Sequence, residues 1–255
     1  MNKFGRTYEL RVQATGGGPD VIIKPPFTIE FDVQRHTYSS ATMSVLRIYN
    51  LSESTRNKLR KNQTDRGMRK KCEFRAGYGT ELSTVVVGNV MQGFSVREST
   101  NYVTTLEIFD GGFAYANALI NTPTQFPENT AYRSAVVDLI KLLKDYDVSL
   151  GSVGTVNGVS GRGMSLVGPT IRNIKELTNS KFFIDNGTAH VLDKNEVIPA
   201  PLKILDSSSG LLGTPIREET FVQVELLFEP KILAGQKLEL KSITEPKLAC
   251  NLSLI

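Results

Sequence analysis

The chain has 255 residues, with 30 Lys and Arg against 26 Asp and Glu, 40% hydrophobic and 22% charged residues, and no Trp. That composition is globular and excludes extended disorder. No stretch approaches the ~18 uncharged apolar residues of a membrane span, and the first ten residues lack the apolar core of a secretory signal, so synthesis in a cytosol and no membrane anchor are expected.

Period-two alternation dominates the first 110 residues, the pattern of half-buried antiparallel strands. Tyr8, Leu10 and Val12 alternate with Glu9, Arg11 and Gln13. Phe27, Ile29, Phe31 and Val33 then face one way, while Thr28, Glu30, Asp32 and Gln34 face the other. Leu46 and Ile48 follow, then Cys72, Phe74 and Ala76, then Phe94 and Val96, then Leu106 and Ile108; the last two runs read as a hairpin turning at Ser99, Thr100 and Asn101. Between the third and fourth runs, Ser52 reads as the N-cap of a helix reaching about Asn62, with Leu51 and Leu59 as its apolar contacts. These elements predict a small antiparallel barrel or sandwich carrying one helix.

The period changes after Phe109. Over 130–145, Tyr132, Ala135, Val136, Leu139, Ile140 and Leu143 fall on one helical stripe. Residues 149–168 are rich in glycine and serine and read as a loop or weak hairpin. Pro169-Thr170 opens a second helix bearing Ile171, Ile174 and Leu177, and Asn186-Gly187 joins two apolar runs, Phe182–Ile184 and Ala189–Leu192, as a hairpin. After Pro199-Ala200-Pro201, strands return: Val222, Val224, Leu226 and Phe228 alternate, residues 230–235 turn, and Leu238 and Leu240 alternate again. The predicted class is α+β, mainly antiparallel β. Its expected parts are 1–112, a β domain with one helix; 113–198, a helical insert with a hairpin; and 199–255, a second, shorter β domain.

Chemistry-bearing motifs are sparse. Cys72 and Cys250 are too few and too far apart for a disulfide framework or zinc site and are expected as small buried residues. Neither His36 nor His190 has a Cys, Asp or Glu at ligand or relay spacing, and a structural or surface role is expected for each. Gly158, Gly161, Arg162 and Gly163 lack the spacing of a phosphate-cradling loop, and Asp110-Gly111-Gly112 reads as a turn. No catalytic or metal-binding residue and no cofactor is therefore assigned. The net charge of +4 is mild, yet one run concentrates it: Arg56, Lys58, Arg60, Lys61, Arg66, Arg69, Lys70 and Lys71 stand against the single acid Asp65. The run contains no aromatic residue, which argues against base recognition and for a solvated helix face or a protein-contact patch.

Three segments carry a resemblance. Phe27 to Leu59 (FTIEFDVQRHTYSSATMSVLRIYNLSESTRNKL), Ser180 to Lys194 (SKFFIDNGTAHVLDK) and Gly210 to Ser242 (GLLGTPIREETFVQVELLFEPKILAGQKLELKS) are similar, in that order, to the first, middle and later domains of baseplate hub proteins of contractile-tailed bacteriophages. The resemblance implies two tail-tube-like β units and a non-enzymatic homotrimeric hub that adapts a sixfold tail tube to a threefold central spike. Its implied partners are further copies of itself, the tail tube protein, the central spike, baseplate wedge proteins and the tape-measure protein, with DNA passing only in transit through the channel. Its implied place is the tail baseplate of the virion, after synthesis in the host cytoplasm, with the Arg56 to Lys71 patch on the outer or ring-contact side. Family members continue beyond the "LKS" strand into a further strand pair or domain, whereas Leu248 to Ile255 end this chain, which implies a minimal second unit or one completed by another chain. The rival expectations are a tail-associated cell-wall hydrolase and a nucleic-acid-binding β-barrel.

Overall fold

The computed structural model describes residues 3–65, 67–219 and 221–241, and the backbone of 248–250. Its first part runs β1 (Arg6–Val12), β2 (Val21–Ile23), β3 (Ile29–Val33), β4 (Met43–Tyr49), α1 (Glu53–Leu59), β5 (Lys71–Tyr78), β6 (Glu81–Glu98) and β7 (Asn101–Phe109). The strands form one antiparallel sheet in the order β2-β1-β5-β6-β7-β4-β3. Of the barrel or sandwich expected, no closed barrel forms: β2 and β3 are edges that do not pair with each other, so the sheet is open. The alternating residues Leu10, Val12, Leu46, Ile48, Cys72, Phe74, Ala76, Leu106 and Ile108 share one buried cluster. Burial also pushes the Cys72 thiol pKa up, which suits an inert packing residue.

Two alternating runs end up less buried than their pattern suggests. Ile29 and Val33 pack against the core, but Phe31 lies on the edge strand β3 and stays exposed. Phe94 and Val96 are exposed: β5 pairs with β6 only as far as Asn89, and past the single bridge from Gly93 to Lys61 the strand β6 keeps only β7 as a ladder neighbour among the described residues. Alternation reports that a strand has two faces; it does not report whether anything lies over them.

The Ser52 hydroxyl caps α1 by accepting the Thr55 N–H at 3.3 Å. The helix ends at Leu59 rather than near Asn62, because the backbone of Lys61 turns away to exchange two 2.9 Å hydrogen bonds with Gly93 of β6. A Cβ at position 93 would lie 2.5 Å from the Leu59 carbonyl oxygen, so glycine permits this approach.

The second part contains α2 (Gly112–Asn117), β8 (Leu119–Phe126), α3 (Tyr132–Leu142) continuing as a 3₁₀ turn to Tyr146, β9 (Ser149–Val153), β10 (Met164–Pro169), α4 (Thr170–Leu177), β11 (Phe182–Asp185) and β12 (Thr188–Val191). Val136, Leu139, Ile140 and Leu143 of the predicted stripe meet Ile171 and Ile174 of α4 and Phe182 and Ile184 of β11 in a second core. Asn186 and Gly187 both take positive φ, +50° and +70°, as a type I′ hairpin turn requires. The loop or weak hairpin expected at 149–168 instead holds two strands that pair elsewhere, not with each other: β9 runs parallel to β12, and β10 antiparallel to β8. Gly151, which favoured a loop reading, is a packing residue, since a Cβ there would meet His190 Cε1 at 2.6 Å.

The third part holds β13 (Lys203–Leu205), β14 (Leu211–Arg217), β15 (Val222–Leu226), β16 (Leu238–Leu240) and β17 (Leu248–Cys250). β13 lies parallel to β16, β16 pairs antiparallel with β17, and β14 and β15 form a hairpin. A small core of Leu205, Ile232, Leu238 and Leu240 receives Leu211, Val222, Val224 and Leu226 from the hairpin. β15 stops before Phe228, which leaves the strand to join the first sheet: its ring centroid is 5.5 Å from that of Phe31, and its carbonyl accepts the Tyr78 hydroxyl at 3.0 Å. The Cys250 side chain and residues 251–255 lie outside the described residues. The architecture is thus α+β and mainly antiparallel β.

Candidate functional site

The cationic run does not form one solvated face. Arg56, Lys58 and Arg60 lie on or just after α1, and Lys58 and Arg60 are exposed; the Arg56 guanidinium stacks over the exposed Tyr102 ring at 3.9 Å. Lys61 and Lys70 are the correction. They are only 4% and 1% exposed, and neither forms a carboxylate salt bridge among the described residues. Backbone carbonyls hold them: Lys61 Nζ donates to Met68 O and Val90 O, each at 2.7 Å, and Lys70 Nζ donates to Lys58 O at 2.7 Å and to the Thr15 hydroxyl at 2.6 Å. The two ammoniums fasten the α1–β5 connection to Thr15, in the segment after β1, and to β6 from inside, and burial lowers both pKa values, that of Lys70 to about 8 with a further push from the Lys61 charge. Arg66 lies outside the described residues.

Arg69 and Lys71 form a separate group. Both bind the Asp147 carboxylate, which closes the 3₁₀ turn after α3, and Asn89 Nδ2 donates to the same group at 3.4 Å. Burial favours the protonated acid there, but the bonds from Arg69 and Lys71 outweigh it and hold the carboxyl below its usual range. These residues line a cleft of about 670 Å³ between the first sheet and the insert, together with Arg11, Asp20 and Glu73. Three cations and three carboxylates line it, so the charged side chains of the lining carry no net formal charge.

Sequence reasoning missed the junction of the three parts. Arg35, just past β3, donates to Val85 O of β6 at 2.7 Å and to Ile232 O at 2.6 Å, and its Nε lies 3.4 Å from Asp185 of β11. Beside it, Asp110 accepts the Gly187 N–H at 2.8 Å, and burial raises its carboxyl pKa to about 7. Asp110-Gly111-Gly112 is the expected turn, with Gly111 at φ +62°, and its acid also anchors the insert hairpin. Nothing local to Arg35 announces this role, because its partners lie 50, 150 and 197 positions away.

Among the described residues the two histidines make packing and backbone contacts. His190 stacks on Phe183, accepts the Ser152 N–H at 3.1 Å, and is pushed down to about 4 by burial; His36 contacts Ser40 at 3.4 Å. Among the described residues, no helix is long and apolar enough to cross a membrane, and no group of three or more His, Cys, Asp or Glu is placed to hold a metal ion.

Against known proteins, the family model described as baseplate hub gp41 matches residues 9–252. No curated protein matches significantly. Among solved structures, the fold is similar to that of the 43 kDa tail protein of prophage MuSo2 from Shewanella oneidensis (TM-score 0.51, 14% identity, 81% of this chain and 59% of that one). It is also similar to the Escherichia coli c3393 protein, described as a component of the type VI secretion system with structural similarity to the T4 tail proteins gp27 and gp5 (TM-score 0.53, 9% identity, 92% of this chain and 68% of that one). A tail protein of Neisseria meningitidis MC58 gives a TM-score of 0.48 at 13% identity, covering 93% of this chain and 71% of that one. The chain therefore spans about three fifths of the length of the MuSo2 protein. With a family match running through all three parts of the fold, the chain belongs to the baseplate hub gp41 family of phage tail structural proteins.

Proposed function

We propose that the protein is a non-enzymatic hub of the tail baseplate that works as a homotrimeric ring, with the parts 1–112 and 199–255 acting as two tube-like units separated by the insert 113–198. Three copies then offer six β units, which lets a threefold assembly meet a sixfold tail tube on one side and a central spike on the other. The channel left on the axis passes DNA or the tape-measure protein, wedge proteins pack outside, and the surface cations of the Arg56 to Lys71 run lie away from the bore. Assembled hubs are in the virion baseplate, and the chain is made in the host cytoplasm.

The observation that carries this reading is the family match over residues 9–252. The open first sheet supports it: among the described residues its edges β2 and β3 have a ladder neighbour on one side only, a hazard for a free subunit that ring closure removes. Analytical ultracentrifugation of the purified chain tests it. The expected species has about 84 kDa, three copies of the 28.1 kDa chain; a species of one chain at every concentration contradicts the ring.

A further inference from the structure

Two surfaces of the chain complement each other and lie too far apart to meet within one copy. The first is the outer face of the β14–β15 hairpin. In its register Leu212 opposes Glu225 and Ile216 opposes Gln223, so these four side chains share one face. Leu212, Ile216 and the adjoining Phe221 are 38%, 55% and 43% exposed, while the opposite face packs on the small third core. Exposed Glu218 and Glu219 rim the turn, and Glu225 lies on the face itself. The second surface is α1, where exposed Lys58 and Arg60 flank the Arg56–Tyr102 stack. None of the ion pairs among the described residues uses Arg56, Lys58, Arg60, Glu218, Glu219 or Glu225.

The strand β1 separates the two. Before it, Lys3 Nζ donates to Ser209 O at 2.6 Å, at the lead-in to the hairpin. After it, Thr15 N donates to Lys58 O at 3.0 Å, at the end of α1. Between those anchors lies the extended strand, ~20 Å of it. An acidic apolar face at one end of a molecule and a cationic aromatic face at the other satisfy each other only through a second copy, in a head-to-tail contact that either closes into a ring or grows as a filament.

We infer that the outer face of the β14–β15 hairpin docks on the α1 face of the next copy of this chain, with Glu218 and Glu219 against Lys58 and Arg60. The inference rests on the ring reading and names the surfaces that would close it.

Sedimentation velocity of four proteins tests it: wild type, Lys58→Glu/Arg60→Glu, Glu218→Lys/Glu219→Lys, and the chain carrying all four changes, each checked for folding by circular dichroism. All four positions are exposed side chains without an ion pair, so the fold is retained. Either double variant alone is expected to weaken self-association at least about tenfold, and the fourfold variant to restore it, because both sides of every contact then reverse together. Trimers that persist unchanged in both double variants overturn this pairing and leave the ring reading standing. Loss in both without recovery in the fourfold variant also overturns the pairing. A wild-type chain that never associates overturns the pairing and the ring together.

Discussion

Arg35 and Asp185 face each other with 3.4 Å between Nε and Oδ1, both side chains largely withdrawn from water, although 150 residues separate them in the chain. Since the same guanidinium also holds carbonyls of β6 and of the segment before β16, one side chain ties the first sheet, the insert and the third part together. Arg35→Ala leaves a buried carboxylate and two carbonyls without their donor and is expected to cost about 3 kcal/mol in urea unfolding. Arg35→Lys recovers only part of that, since an ammonium lacks the planar fork of donors; full recovery by lysine would show that charge alone suffices.

Asp110 makes stability depend on pH. Its folded pKa is raised by burial to about 7 from the ordinary 3.8, so the native state binds a proton that the unfolded state releases. The stability this contributes is complete below about pH 4 and is lost as pH rises through 7. Asp110→Asn keeps an oxygen able to accept the Gly187 N–H and removes the titration. It is expected to match wild type near pH 4 and to exceed it by a few kcal/mol at pH 8 in denaturant melts; equal pH slopes for the two proteins would contradict this.

Lys70 acts with the opposite slope. Its pKa is lowered from 10.5 to about 8 by burial and by Lys61, so the unfolded chain binds the extra proton and stability rises between pH 8 and 10.5. Lys70→Met is expected to flatten that rise. Its structural cost at pH 7 is expected to stay small, about 1 kcal/mol, because Thr15 N and the Thr15 hydroxyl also donate to Lys58 O.

Gly93→Ala tests the contact between α1 and β6. The added methyl would meet Leu59 O at 2.5 Å and Leu106 Cδ2 at 3.1 Å, both in the packed core of the first sheet. The expected loss is about 2 kcal/mol in thermal or denaturant unfolding, with hydrogen exchange accelerated at Lys61 N and Gly93 N; an unchanged midpoint would show that the helix end yields freely.

Features written in short sequence windows were legible. The Ser52 cap, the Val136–Leu143 stripe and the Asn186-Gly187 turn depend on neighbours within a few positions, and the structure holds all three. The burial of Lys61 and Lys70 was not legible, since beside the nearer carbonyls of Met68 and Lys58 each needs an acceptor from a distant segment, Val90 and Thr15, 29 and 55 positions away, and a run of cations reads as a wet face when only its charge is seen. Arg35 was silent for the same reason. β9 was hidden because Gly151, needed for contact with His190, mimics a loop residue. Exposed Phe94 and Val96 mark the remaining limit: alternation establishes the faces of a strand, while their covering is decided by other strands or by other molecules.

A cryo-electron reconstruction of the assembled tail tip tests the central claim most directly. The account predicts three copies of this chain around the axis, with the seven-stranded sheet and the β13–β17 region alternating as six wall segments and Lys58 and Arg60 turned toward a neighbouring copy. A single copy on the axis, six equivalent copies, or a wall built from the insert would contradict it.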